Sequence, residues 1–156
     1  MSQKPKPITE ITVNRKAFHD YEILSTYEAG LELTGTEIKS VREHAVNLKD
    51  SFVLIRDGEA WVHNMHISPY GHGNIFNHDP TRKRRLLLHK REILKLSQAI
   101  QQKGLTIVPT KLYIKGKYAK LEIAVARGKK LHDKKAALKE RDIKREMDKE
   151  IKDFRP

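Results

Sequence analysis

Between Tyr21 and Leu33 the chain alternates. Tyr21, Ile23, Ser25, Tyr27, Ala29, Leu31 and Leu33 hold the odd positions; Glu22, Leu24, Thr26, Glu28, Gly30 and Glu32 hold the even ones. Successive side chains of an extended strand point to opposite faces, so this run predicts a long strand with its odd set inward and Glu28 outward. Gly30 interrupts the pattern without adding a side chain, which predicts a bend or bulge where a sheet curls. A long, curled, half-buried strand suits closure into a barrel.

The neighbouring segments fit that frame. Thr34 followed by Glu37 forms a capping box, the reciprocal pair of hydrogen bonds that starts a helix, with Ile38, Val41 and Ala45 on one face. Phe52 to Ile55 is apolar, Asp57-Gly58 is a hairpin turn pair, and Trp61, His63, Met65 and Ile67 then alternate. A long connection with turn residues and a basic cluster follows, with room for some strand in it. HKREILKLSQAIQQKG carries Ile93, Leu96 and Ile100 on one helical face and stops at Gly104. Leu105 to Ile114 is strand-like, with Pro109 pointing to an edge or bulge. After the turn at Lys115-Gly116-Lys117, Ala119, Leu121, Ile123 and Val125 alternate again. Five strands with a helix between the third and fourth predict a mainly β protein with added helices, an OB-type Greek-key β-barrel. A split β-α-β sandwich is the competing architecture. The expected division is a flexible lead-in over 1–12, the barrel over 13–127 and a basic tail over 128–156.

Charge narrows the function. The formal net charge is +12 over 156 residues. Such a surplus repels itself and points to a polyanionic partner, nucleic acid first, since neutralising phosphates releases condensed counterions. No lysine-rich helix has the apolar face that an anionic membrane needs, and no apolar stretch reaches the ~20 residues of a membrane span. The N-terminal MSQKPKPITE lacks the apolar core of a signal peptide, and cysteine is absent, in keeping with a reducing, cytoplasmic setting. Arg82, Lys83, Arg84, Arg85, Lys90 and Arg91 crowd one short span, with Leu86 to Leu88 as its expected anchor to the core. A solvated basic loop has the same composition. His63, His66, His72 and His78 raise a metal site, but His63 and His66, three apart on one predicted strand, would face opposite sides. No metal and no cofactor are expected. Phosphate-loop, nucleophile-elbow and helix-borne metal motifs are missing, and Asp79 and Glu92, both flanked by cations, read as structural, so an enzyme is not expected.

After Ala126 the strand pattern ends. Ile143, Met147, Ile151 and Phe154 make a narrow helical stripe among mixed charges. A helix of this length is marginal alone, so the tail is expected to be disordered when free and helical on a partner. A helix docked permanently on the barrel is the alternative. Nearer the barrel, Arg127, Lys129, Lys130, Lys134 and Lys135 surround Leu131 and His132. Lysines neutralise phosphates and an imidazole stacks on a base.

The segments NRKAFHDYEI, EAGLELTGTEIKSVR, SFVLIRDGEAW, DPTRKRRLLLHKREI and VARGKKLHDKK, taken together, resemble the SmpB (small protein B) family of bacterial trans-translation. The resemblance implies an OB-type barrel that binds the tRNA-like domain of tmRNA, with elongation factor Tu carrying the alanyl-tmRNA complex to a stalled 70S ribosome. Family RNA contacts carry over to Asn14, Glu28 and Leu87, with further basic contacts from Arg82, Arg84 and Lys129. Asn14 would offer its amide to sugar or base edges, and Glu28 would accept from guanine or a 2′-hydroxyl, or hold a neighbouring arginine. Leu87 would present apolar surface to an unstacked base. The bland readings are a surface amide, a strand-face carboxylate and a core leucine. In the tail, the resemblance implies that His132 stacks in the decoding centre of 16S rRNA. Lys129, Lys130, Lys134 and Lys135 would hold ribosomal RNA phosphates along the empty messenger channel, and Ile143, Met147 and Ile151 would line one helix face. Where the family often ends this motif in arginine, Lys135 keeps the charge and loses bidentate geometry. Coupled folding of the tail predicts that a peptide of residues 128–156 shows little helix by circular dichroism in buffer; a stably helical free peptide would contradict it.

Overall fold

The protein is described by a computed structural model over residues 7–71 and 77–129. In chain order the elements are β1 (Ile8–Val13), α1 (Arg15–Asp20), β2 (Tyr21–Leu31), α2 (Gly35–Arg42), β3 (Val46–Asn47) and β4 (Phe52–Arg56). They continue with β5 (Glu59–His63), β6 (His66–Ile67), β7 (Arg84–Leu87), α3 (Lys90–Ile100), β8 (Leu105–Lys115) and β9 (Tyr118–Gly128). Seven strands form one sheet in the order β1-β8-β9-β2-β7-β5-β4, and β3 pairs with β6 beside it. Every described ladder is antiparallel. Far along the sheet order, β4 folds back against β8, which rolls the sheet into the OB-type barrel. The split β-α-β alternative has no place in this single curled sheet.

The core follows from alternation. Leu121, Ile123 and Val125 of β9, Leu112 and Ile107 of β8, Val53 of β4 and Val62 of β5 point inward and are buried. α3 presses Leu96, fully buried, against this interior, and Gly104, at φ 83°, takes the left-handed conformation just beyond its end. The capping box at α2 forms as expected between Thr34 and Glu37. At the hairpin between β4 and β5, Asp57 and Gly58 both adopt positive φ, 52° and 74°, the geometry that matches strand twist.

Several features differ from the pattern read in the sequence. The inward set of β2 is not continuous. Ile23 faces Ala126 while Ser25 faces Val125, so one extra residue, Leu24, bulges and reverses the phase. Tyr21 and Ile23 therefore pack with Ala17, Val108 and Ala126 under α1, whereas Tyr27, Ala29 and Leu31 enter the barrel core. Gly30 is not the bulge. It pairs with Lys120 of β9 on one side and Leu87 of β7 on the other, and an added Cβ would stand 3.1 Å from the Leu87 Cβ. Its lack of a side chain is what lets β7 approach. The bulge expected at Pro109 is present, between Pro109 and Lys111.

Trp61, His63, Met65 and Ile67 do not share one strand. Ala60 and Val62 are the inward residues of β5, and Asn64, at φ 63°, turns the chain before Met65 and Ile67 are buried. Residues 84–87, assigned to a long connection, form β7 in the middle of the sheet. Residues 8–12, assigned to the lead-in, belong to β1, whose ladder with β8 runs from Ile8 opposite Lys115 to Val13 opposite Lys111. A ladder at a sheet edge needs backbone groups rather than apolar side chains, so composition did not reveal it. At the other boundary β9 continues to Gly128, and the Lys129 amide still donates to the Asp20 carbonyl. The helical reading of the tail falls on residues outside those described.

Candidate nucleic-acid interface

The cationic span begins with a buried ion cluster. Glu37, on the inner side of α2, is fully buried and accepts from Arg82 and Arg84, while its Oε1 also accepts the Thr34 amide at 2.8 Å. Arg84 is itself 0% exposed. Its guanidinium donates to Glu37 and to the carbonyls of Met65 (2.7 Å), Pro80 (3.1 Å), Arg82 (3.2 Å) and Asp79 (3.3 Å). No donor remains for a phosphate. Arg84 is thus a core residue of β7 that ties α2 and the 79–82 turn to the sheet. Arg82 is partly exposed but spends Nε and Nη2 on Glu37, at 3.0 and 2.5 Å. Burial opposes charge on Glu37, yet the bonds from Arg82, the Thr34 amide and Arg84 outweigh it and hold the carboxyl below its usual value. Burial likewise pulls the Arg84 guanidinium down, against the opposing pull of Glu37.

Asn14 is also internal. It is 6% exposed. Its Nδ2 donates to the carbonyls of Pro109 (2.8 Å) and Leu48 (3.2 Å), and its Oδ1 accepts the Ala17 amide as the cap of α1. One side chain thus joins α1, the turn before β4 and the bulge of β8. Both Nδ2 hydrogens and one Oδ1 lone pair are thus engaged inside the protein. Asn14 holds the body together.

Glu28 and Leu87 behave otherwise. Leu87 is 49% exposed on β7, on the face opposite the buried Arg84 and Leu86. Glu28 is exposed on β2, the same strand that meets Leu87 at Gly30. Both line an open groove of about 930 Å³ between the β2–β7 surface, the β4–β5 turn and α3. Arg85, Lys90 and Lys120 supply its cations, Glu28, Asp57, Glu59 and Glu92 its carboxylates, and Ile93 and Leu94 its apolar wall, with Arg85 paired to Glu59 at 3.2 Å. Leu94, 59% exposed, adds a second large apolar surface. Such a mixture of cations, carboxylates and open apolar area can meet phosphates, ribose or base donors and an unstacked base. Glu28 does not hold an arginine. Its Oε2 accepts from the Tyr113 hydroxyl, and Lys115 Nζ stands 3.5 Å from Oε1. The Tyr113 bond, helped by Lys115 and Lys120, keeps this carboxyl below its usual value despite partial burial.

Lys129 is exposed and donates Nζ to the Phe18 carbonyl at 3.0 Å, fixing the exit of the chain from β9 beside α1. Lys130, His132, Lys134 and Lys135 lie outside the described residues. Of the histidines, His63 stacks on Phe52 with centroids 5.3 Å apart, and His78 bridges Thr36 and the Ile67 carbonyl. His63 and His66 sit on different strands, β5 and β6, rather than on opposite faces of one. Among the described residues no three such side chains gather as metal ligands, and no helix is long and apolar enough to cross a membrane. Glu92 accepts the His89 amide at 3.1 Å, the structural role its sequence position suggested. Tyr113, Lys120 and the interior role of Glu37 escaped the sequence. The capping box marked Glu37 only as a helix start.

A curled antiparallel barrel with added helices, on a chain of net charge +12, defines a basic OB-type barrel protein. A profile described as SmpB protein matches residues 11–153. An SsrA-binding protein of Sulfurihydrogenibium sp. (strain YO3AOP1) is 59% identical over 142 residues, 91% of this chain and 93% of that protein. One from Caldanaerobacter subterraneus subsp. tengcongensis is 56% identical over 153 residues, covering 98% and 97%. A solved chain described as "tmRNA-SmpB: a journey to the center of the bacterial ribosome" superposes with TM-score 0.67 at 49% identity, over 81% of this chain and 93% of that one. The chain belongs to the SmpB family.

Replacing Glu37 by glutamine keeps its shape and leaves Arg84 as an uncompensated buried charge. Denaturant unfolding at neutral pH is expected to show a loss of about 3–5 kcal/mol. The folded carboxyl titrates below its ordinary value of 4.5, so its stabilisation is complete above that pH and is lost as pH falls through the depressed folded value. The difference between wild type and Glu37→Gln should therefore shrink below about pH 4.5. A gap unchanged down to the acid transition would contradict this ionic anchor.

Proposed function

We propose that this chain binds the tRNA-like domain of tmRNA, the SsrA RNA, and delivers alanyl-tmRNA to stalled ribosomes in trans-translation. The observation that carries the reading is near-complete coverage by SsrA-binding relatives, 98% of this chain at 56% identity in one of them. The groove supports it, since Glu28 and Leu87 both line one open surface that also carries Arg85, Lys90 and Lys120. Phosphate neutralisation by Arg85, Lys90 and Lys120 supplies affinity that falls with salt. Leu87 offers apolar surface to a base, and Glu28 accepts from a ribose hydroxyl or a base N–H.

In this reading the work is divided between the barrel and residues 128–156. The barrel grips the RNA. The tail enters the vacant messenger channel, with His132 at the decoding centre and Lys129, Lys130, Lys134 and Lys135 on ribosomal RNA phosphates. It turns helical downstream along Ile143, Met147 and Ile151. A channel already filled by messenger excludes it, which is a physical basis for choosing empty ribosomes. Elongation factor Tu joins through the aminoacylated RNA, the setting is the cytoplasm, and the outcome is a nascent chain tagged for degradation.

The two halves are separable by experiment. A chain ending at Gly128 is expected to bind tmRNA as the full protein does, and to prefer it over bulk transfer RNA in competition at fixed salt, while supporting no tagging of stalled chains in a reconstituted system. Full-rate tagging by the shortened chain would refute the role of the tail. Equal competition by bulk transfer RNA would reduce the barrel to a general RNA binder.

A further inference from the structure

On the outer face of the barrel, Glu28 of β2 stands directly opposite Glu122 of β9. Like charges so paired on neighbouring strands repel. Two hydroxyls of β8 resolve the conflict. Thr110, fully buried at the bulge, donates to Glu122 at 2.5 Å. Tyr113 reaches over β9 and donates to Glu28 Oε2. Lys115, beyond Tyr113 on the same strand, stands 3.5 Å from Oε1.

We infer that Tyr113 is a positioning residue of the RNA groove. It fixes the Glu28 carboxylate as an anionic acceptor for a ribose hydroxyl or base N–H of the bound RNA. This deepens the proposed function and rests on its assignment of Glu28 to the RNA. One lone pair of Oε2 is taken by the phenol and Lys115 Nζ stands 3.5 Å from Oε1, so each oxygen is already partnered and keeps a lone pair for a further donor. The orientation is held on rigid strands. Tyr113 is paired on both sides, with Lys120 of β9 and Glu10 of β1. Partial burial, and then the bond to Glu28, push the phenol well above its ordinary value, so it remains a donor throughout the neutral range.

Glu28 faces Tyr113 and Lys115 from β8 and Lys120 and Glu122 from β9. Across the groove stand Asp57, Glu59, Arg85, His89, Lys90 and Glu92. Of these the phenol is the leading cause of the low carboxyl titration. Its removal should move that titration upward.

The test uses the full chain, a transcript of the tmRNA tRNA-like domain as probe, and the variants Tyr113→Phe, Glu28→Gln and their combination. Thermal melts establish that each is folded. A charged hydrogen bond of this kind predicts that each single variant binds about tenfold more weakly and that the double variant is no weaker than either single one. Carbon-detected NMR of the free protein should show the Glu28 carboxyl titrating at higher pH in Tyr113→Phe. If Tyr113→Phe binds like wild type while Glu28→Gln is weakened, the RNA assignment stands and the positioning role is overturned. If the two losses add, Tyr113 touches RNA itself and the inference is likewise overturned. If Glu28→Gln binds like wild type, the assignment of this groove fails and the inference falls with it.

Discussion

The arrangement depends on one buried carboxylate. Glu37 leaves water entirely and is matched by Arg84, equally buried, and by Arg82 at the margin. Taking two charges out of water costs several kcal/mol per ion, so a pair like this persists only with its hydrogen bonds complete. Here they are complete. Glu37 closes the cap of α2 through Oε1 and holds β7 through Oε2, and Arg84 collects the carbonyls of the turn leading into that strand. The cluster stitches a helix, a turn and a central strand into one unit. It also sets which face of β7 is which. With Arg84 and Leu86 inside, Arg85 and Leu87 are outside, on the groove.

Around that anchor the groove is shaped by close backbone approach. Gly30 lets β7 come up against β2, so Leu87 lies beside the strand that carries Glu28. The bulge at Leu24 lets β2 serve two surfaces. Its first residues pack under α1, its later ones fill the barrel, and Glu28 stays outward on the second part. Asn14 locks the α1 side by bonding the β8 bulge and the turn before β4. Two residues implicated by family likeness, Asn14 and Arg84, thus belong to the frame, and two others, Glu28 and Leu87, belong to the surface. Substitutions at all four can weaken RNA binding, but for different physical reasons.

Much of this was legible from residue order. The hairpin through Asp57-Gly58, the capping box at Thr34, the amphipathic α3 and the alternating β9 rest on local rules, and local rules are what a sequence displays. Tertiary context hid the rest. A bulge leaves no trace in an alternating string, since Ile23 and Ser25 keep the same parity whether or not Leu24 is extra. Arginine at an inward strand position reads as solvent until a buried partner is known, and Glu37 lies 47 residues earlier in the chain. β1 forms an edge ladder from polar residues such as Thr9, Glu10 and Thr12. The side-chain bridge from Tyr113 to Glu28 spans 85 residues and one intervening strand, a relation set by the sheet order alone.

The central claim is that interior polar contacts consume Arg84 and Asn14 and leave the groove at Leu87 and Glu28 to meet the nucleic acid. A side-chain-resolution structure of the full protein bound to the tRNA-like domain of tmRNA tests it most directly. The account predicts RNA against Leu87 and Glu28, with Arg84 still bonded to Glu37 and Asn14 to the Pro109 carbonyl. RNA contacting Arg84 or Asn14 through side chains swung out of the interior, or RNA bound elsewhere with the groove empty, would contradict it.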